Sequence, residues 1–301
     1  FHCTLAALNI HPVKSCAGIA VREALLVETG LDLDRAWMVV DSQGEFVTQR
    51  ELPRMALVQP SFRLGQLVLR APGMLALHLS LEAAEFPRRV RVWDDAVDAW
   101  DMGDLAAQWF SDFLGPDAPA DLKQLRLVRF DPEVKRLCSA KWTGGRESVT
   151  QFADGFGVLV ASTASLDELN ARLAQAGEAP VDMRRFRPNI VLGGTEAHDE
   201  DVLSRLTVAM PVVGAVSDGS GHTVAAELAL TKPCARCPIP NIDPDTAVSA
   251  PAVSAVLQTY RADARLNGAV TFGMNAFATH LADGGVWLHE GQVVDAEWYF
   301  E

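Results

Sequence analysis

Residues 5–41 read LAALNIHPVKSCAGIAVREALLVETGLDLDRAWMVVD, and this stretch decides the fold class. The runs 5–10, 21–28 and 36–41 are apolar or alternating, and Gly18 and Gly30 stand between them. Alternation at period two is the mark of a strand with one buried face. The pattern continues outward through 57–64, 65–81 and 88–93, punctuated by Asp41-Ser42-Gln43-Gly44 and Pro60. Many short strands with regular turns predict a barrel or sandwich.

Helical signals are fewer. Residues 101–114 carry Leu105, Trp109, Phe110 and Phe113 on one face, with Asp101 or Asp104 as the cap and Gly115-Pro116 as the stop. In 165–176, Ser165 opens a Ser-Leu-Asp-Glu capping box that reaches Glu168, and Gly177 ends the helix. Residues 252–260 form a third helical segment. Further strands are expected at 125–130, 158–161, 190–192, 206–208 and 224–230, and a Gly-Ser-rich hairpin near 218–221. The Pro-, Ala- and Asp-rich run 116–121 marks a boundary between 1–118 and 119–301. The expected fold class is α+β, with two β-barrel-like parts, peripheral helices and a cleft between the halves.

The chain has 301 residues, 49% hydrophobic and 22% charged, enough to bury a large core. Its net charge of −13 disfavours general nucleic-acid binding, so any bound anion needs a local basic cluster. No apolar run approaches the roughly 20 residues of a membrane helix, and no secretion signal is expected. Five cysteines, an odd number in a large chain, predict a reducing cytoplasm rather than a disulfide framework.

Chemistry concentrates in Pro233-Cys234-Ala235-Arg236-Cys237, followed by Asp243-Pro244-Asp245-Thr246. A thiolate beside an arginine holds a soft metal or attacks an electrophile. Pro233, Pro238, Pro240 and Pro244 predict a rigid loop carrying both cysteines. Half a zinc site and a dithiol redox pair also use Cys-x-x-Cys. Zinc needs a second ligand pair, and Cys138 has no partner at ligand spacing; the prolines argue against the redox junction. Lys14-Ser15, Arg35, Arg187 with Asn189, and Arg236 lie at turns, where such donors either hold phosphate oxygens or remain ordinary surface charges. Asp154-Gly155-Phe156-Gly157 is either a ligand-approach loop or a plain strand-entry turn. Asp243 and Asp245 read as proton-handling groups or as a turn. His11 and His222 have no identifiable catalytic partners.

Together these motifs resemble the MOSC superfamily, in particular the branch of the mitochondrial amidoxime-reducing component and its bacterial YcbX-type relatives. The residues that carry the resemblance to its N-terminal domain are His11-Pro-Val-Lys-Ser-Cys16, Gly30-Leu31, Asp34-Arg35 and Val47-Thr-Gln-Arg50, while Trp93-Asp94 and Gly103-Asp104 with Trp109-Phe110 resemble its middle region. Ser165-Leu-Asp-Glu-Leu-Asn170, Arg185-Phe-Arg-Pro-Asn189, Cys234-Ala-Arg-Cys237 and Asp243-Pro-Asp-Thr246 carry it in the MOSC domain. The resemblance implies a β-barrel-rich MOSC fold and a molybdenum cofactor (Mo-molybdopterin) with Cys237 as metal ligand, Cys234 being the alternative. It implies cofactor contacts from Lys14, Ser15, Arg35, Asp154, Gly155, Phe156, Arg187, Asn189, Ala235 and Arg236, and a role near the metal for Asp243. The implied activity is reduction of small N-hydroxylated substrates by electrons from a separate ferredoxin- or flavin-type donor, since no four-cysteine cluster set is present. The competing implication is a cofactor carrier or sulfur carrier in cofactor maturation, although the desulfurase domain of sulfurase relatives does not fit within these residues. One departure is Ala247, which follows Thr246 where relatives have glycine.

Overall fold

The first strand, His2–Ile10, shows how the apolar pattern becomes a barrel wall. It buries Cys3 and Leu5, then Leu8 and Ile10, so the parity changes midway. Its pairing with Ile190–Gly193 shifts register between Leu5 and Ala7. The extra residue of that bulge returns Leu8 and Ile10 to the buried face.

This computed structural model describes residues 1–211 and 222–299. Seven strands close a barrel in the order Val158–Ser162, Ile190–Gly193, His2–Ile10, Val293–Trp298, Leu203–Pro211, His222–Ala235 and Ala269–Leu281, the last pairing with the first. Closure leaves no open edge in this circuit. All neighbours are antiparallel except Val158–Ser162 with Ile190–Gly193. That parallel pair needs a crossover, which helix Thr163–Gln175 supplies. Leu5, Leu8, Val160, Ile190, Leu192, Leu206, Leu228 and Ala276 fill the barrel core.

A second core lies under the strands between 37 and 130. Trp37–Val40, Arg126–Phe130, Asp95–Asp101 and Phe86–Val92 form a four-stranded sheet. Gln59–Arg63, Gln66–Arg70 and Leu77–Ser80 form a three-stranded one. Helix Asp104–Leu114 packs Trp109, Phe110 and Phe113 against Val39, Leu67 and Leu127. Hydrogen bonding runs across residue 118: the first strand belongs to the barrel, and Trp37–Val40 pairs with Arg126–Phe130. Among the described residues no helix is long and apolar enough to cross a membrane.

Three local expectations need correction. Gly103, not an aspartate side chain, precedes helix Asp104–Leu114; Asp101 is committed to the Gly103 amide and to Arg126. Ser162, not Ser165, caps helix Thr163–Gln175, accepting from the Ser165 amide at 3.1 Å. The Ser165 hydroxyl is instead used by Glu200, a tertiary partner. Pro233 and Cys234 lie within strand His222–Ala235, so the rigid loop begins only after Ala235. The ladder is irregular on both sides of Pro233, and a missing N–H is tolerated there. The hairpin expected near 218–221 lies outside the described residues.

Candidate functional site

A cleft of about 440 Å³ gathers side chains from both sides of residue 118. Two glycines outside its lining position one of its loops. Gly30 has φ +117°, and a Cβ there would sit 2.2 Å from the Gly157 carbonyl oxygen; one on Gly157 would sit 2.3 Å from Thr29 O. Only glycine permits this backbone approach, which presses loop 153–157 against the turn at 29–30. Arg136 then fixes the loop. Its guanidinium donates to the carbonyls of Gln151 (2.8 Å), Ala153 (2.5 Å) and Asp154 (3.3 Å), and its Nε meets Asp95 at 2.7 Å.

The cationic wall grows from three turns. Lys14 Nζ is buried and donates to Phe152 O at 2.8 Å and Asp154 Oδ1 at 2.5 Å. Burial pushes its pKa below the usual lysine range, and Asp154 opposes that shift. Ser15 follows, its carbonyl held by Gln49 Nε2 at 2.6 Å. Arg35 Nη1 bonds Asp34 Oδ2 at 2.5 Å and Asn189 Oδ1 at 3.0 Å, while Nη2 donates to Arg187 O at 3.0 Å. Burial raises the pKa of Asp34, but Arg35 and His11 outweigh it and keep the carboxyl below its ordinary value. Asn189 ties three strands together: its Oδ1 also accepts from Leu159 N, and its Nδ2 donates to Asn9 O.

Arg187 completes the wall. Its Nη1 donates to Cys16 O at 2.5 Å, but its buried Nη2 has no partner among the described residues. Burial, then repulsion from Arg35, pushes its pKa down to about 10, still a cation at neutral pH. Nine non-glycine residues in the described chain have left-handed φ, and four of them line this cleft: Ser15 (65°), Arg35 (49°), Trp93 (54°) and Arg187 (59°). Such strain persists only where surrounding structure over-determines it, and it clusters at functional sites.

The sulfur side comes from the barrel. Cys234, Ala235, Arg236 and Cys237 all line the cleft, and both cysteines are partly exposed and free. The Arg236 amide donates to Val270 O, and its guanidinium reaches Cys234 Sγ at 3.0 Å and Phe186 O at 3.0 Å. Its buried Nε has no partner among the described residues.

Of the predicted site residues, the structure brings together Lys14, Ser15, Arg35, Asp154, Gly155, Phe156, Arg187, Asn189, Ala235, Arg236 and Cys237. Asp243 is the exception and does not line the cleft. Its Oδ1 accepts from the amides of Asp245 and Thr246, and its Oδ2 from Arg185 at 2.9 Å, so the carboxylate holds the turn. Arg184 likewise occupies Asp245, at 2.7 Å, and bridges it to Asp182. Thr48, Arg50, Trp93 and Lys232 also line the cleft. Three of them lay inside the quoted motifs, but nothing in their spacing aimed them at the same space. Arg136 had no sequence signal at all. A larger, shallower groove beside helix Asp104–Leu114, lined by Arg88, Lys123 and Arg126 among others, contains no predicted site residue.

Residues 2–117 match the MOSC N-terminal beta barrel domain, and residues 147–295 match the MOSC domain. The chain is 35% identical over 253 residues to mitochondrial amidoxime reducing component 2 of Bos taurus, covering 81% of this chain and 68% of that protein. It is 33% identical to the Homo sapiens counterpart over the same shares of both chains. It is also 27% identical to molybdenum cofactor sulfurase of Oryza sativa subsp. japonica, over 96% of this chain but 35% of that protein. With both domain models matched and about a third of the aligned residues identical to the two amidoxime reducing components, the chain belongs to the family of MOSC proteins that join a MOSC N-terminal beta barrel domain to a MOSC domain.

Proposed function

We propose that this protein is a molybdenum-cofactor-dependent reductase of N-hydroxylated compounds (hydroxylamines, amidoximes and N-hydroxylated bases), supplied with electrons by a separate ferredoxin- or flavin-type protein. The carrying observation is that Cys237 shares one cleft with Lys14, Ser15, Arg35 and Arg187. The similarity to amidoxime reducing components supports the same reading.

The residues fit such a group. Arg187 Nη2 and Arg236 Nε are buried donors without partners among the described residues, and a polyoxyanion would satisfy them. A Cβ built on Gly155 meets no protein atom within 4 Å, so the loop is open toward the cleft. A free thiol is a soft-metal ligand. When bound, the cofactor would supply two-electron redox chemistry.

Lys14, Ser15, Arg35 and Arg187 would hold its phosphate, with Asn189 keeping Arg35 in place. Asp154 keeps the proton on Lys14 Nζ against the pull of burial. Gly155, Phe156 and Ala235 would pack along the pterin. Arg236 would anchor the loop from which Cys237 would hold the metal. Overall, R–NHOH takes up two protons and two electrons and gives R–NH₂ and water. A reducing, cytoplasmic location belongs to the same reading, in keeping with five free cysteines.

The test is reduction of benzamidoxime by cofactor-loaded protein with reduced methyl viologen as electron source. Benzamidine should form, and Cys237→Ala should abolish it; a loaded protein that makes none sinks the proposal. Similarity to the sulfurase favours a second reading, a carrier of the cofactor or its sulfur. Rapid transfer to an apo-enzyme without turnover would decide for that reading.

A further inference from the structure

The cleft carries six cationic side chains, Lys14, Arg35, Arg50, Arg187, Lys232 and Arg236, against a single carboxylate, Asp154, in a chain of net charge −13. Lys14, Arg35 and Arg187 belong to one bonded cradle, and Arg236 holds the cysteine loop. Arg50 and Lys232 are left over. Lys232 Nζ stands 5.9 Å from the Trp142 ring centroid, with no acidic partner among the described residues.

Arg50 is the better placed of the two. Its Cζ stands 4.7 Å from the Trp93 ring centroid and 5.8 Å from that of Phe46. Its Nε donates to Thr48 Oγ1 at 3.0 Å. Glu51 Oε1 makes a loose ion pair with that Nε at 3.8 Å, while Glu51 Oε2 accepts from the Thr48 amide and hydroxyl. The two terminal nitrogens make no hydrogen bond among the described residues. Trp93 is held open beside it: 42% exposed, left-handed at φ 54°, its indole N–H donating to Asp154 Oδ1 at 3.1 Å. A guanidinium stacked on an indole keeps its plane fixed and offers a two-pronged donor that matches a carboxylate.

We propose that Arg50 and Trp93 form the substrate-selecting wall of this cleft and favour planar N-hydroxylated substrates that carry a carboxylate. This rests on the reductase reading and names the class of substrate that the site takes. Trp93 supplies apolar contact to the flat ring, and the terminal nitrogens of Arg50 bind the carboxylate.

The experiment compares kcat/KM for benzamidoxime and 4-carboxybenzamidoxime on cofactor-loaded protein, with reduced methyl viologen as electron source and molybdenum content measured in every variant. Wild type should prefer the carboxylated compound about tenfold, the scale of a hydrogen-bonded charge pair. That preference should shrink as salt rises. Arg50→Gln should bring the ratio close to one, and Arg50→Lys should leave an intermediate ratio. Trp93→Leu should raise KM for both compounds more than it lowers kcat. Equal preference in wild type and Arg50→Gln overturns the proposal. So does loss of molybdenum from Arg50→Gln, which would put Arg50 in the cofactor cradle. So does an effect confined to turnover with a reduced ferredoxin, which would make the wall a donor dock. If loaded wild type reduces neither compound, the reductase reading fails by itself. Calorimetric binding of the two amidoximes then decides the wall: tighter carboxylate binding in wild type but not in Arg50→Gln supports it, and equal binding overturns it.

Discussion

Leu228 and Leu230 belong to the barrel core, while Lys232 and Cys234, further along the same strand, line the cleft. Ile190 and Leu192 stand in the same relation to Arg187 and Asn189. In the barrel core, side chains such as Leu228, Ile190 and Leu192 are apolar, and each contributes roughly 1.5–3 kcal/mol by leaving water. At the cleft, the same strand ends present buried cations, donors without partners and left-handed backbone, each of which costs stability. One region is built to fold. The other is held in an unfavourable state by the first, and that state suits an anionic partner.

The contrast can be broken from either side. Leu192→Ala should lower unfolding free energy by about 2–5 kcal/mol, read by urea denaturation, without changing cofactor content per folded molecule. Arg187→Gln should do the reverse. It removes a guanidinium with an unpartnered nitrogen beside Arg35, so stability without cofactor should stay within about 1 kcal/mol of wild type, while cofactor retention on dialysis falls at least about tenfold. A large stability loss from Arg187→Gln would mean that the cleft is an ordinary structural network.

His11 gives a pH-dependent version of the same comparison. It is buried, and its Nδ1 lies 3.6 Å from Asp34, beyond hydrogen-bond reach. Burial, then Arg35 and Arg187, lower its pKa from 6.5 to about 3. The unfolded chain therefore takes up this proton before the folded one does. Stability from His11 is fully present above pH 6.5 and is lost as pH falls toward 3. His11→Gln should flatten the acid side of the stability profile in that window; an unchanged profile would put the titrating group elsewhere.

The smallest effect is expected at Ala247, which has φ +60°. An alanine pays a steric penalty in that conformation that glycine avoids. Ala247→Gly should raise stability by about 0.5–1 kcal/mol in thermal unfolding, with no change in activity. Alanine at this position is thus a local cost in a conformation that glycine adopts freely.

The same division governs what could be read from the chain. Strands such as His2–Ile10 and Gln66–Arg70, and helix Asp104–Leu114, announced themselves through apolar periodicity, because burial of one face is a local property of sequence. The cap of helix Thr163–Gln175 was misplaced because Glu200, remote in sequence, claims the Ser165 hydroxyl. Pro233 was read as part of a rigid loop because the ladder irregularity that lets a strand hold it depends on the partner strand. In the site, motif residues were legible by resemblance. Arg136 was not, because its partners are backbone carbonyls of residues 151–154, which no side-chain pattern encodes. Asp243 looked available in sequence but is consumed by its own turn and by Arg185.

The most direct test is the molybdenum and pterin content of freshly purified wild type and Cys237→Ala, measured together with the unfolding free energy of each. Wild type should carry close to one molybdenum per chain; the variant should lose nearly all of it while folding as stably. Equal metal in both proteins, or none in wild type expressed with an ample molybdenum supply, would contradict the assignment of this cleft.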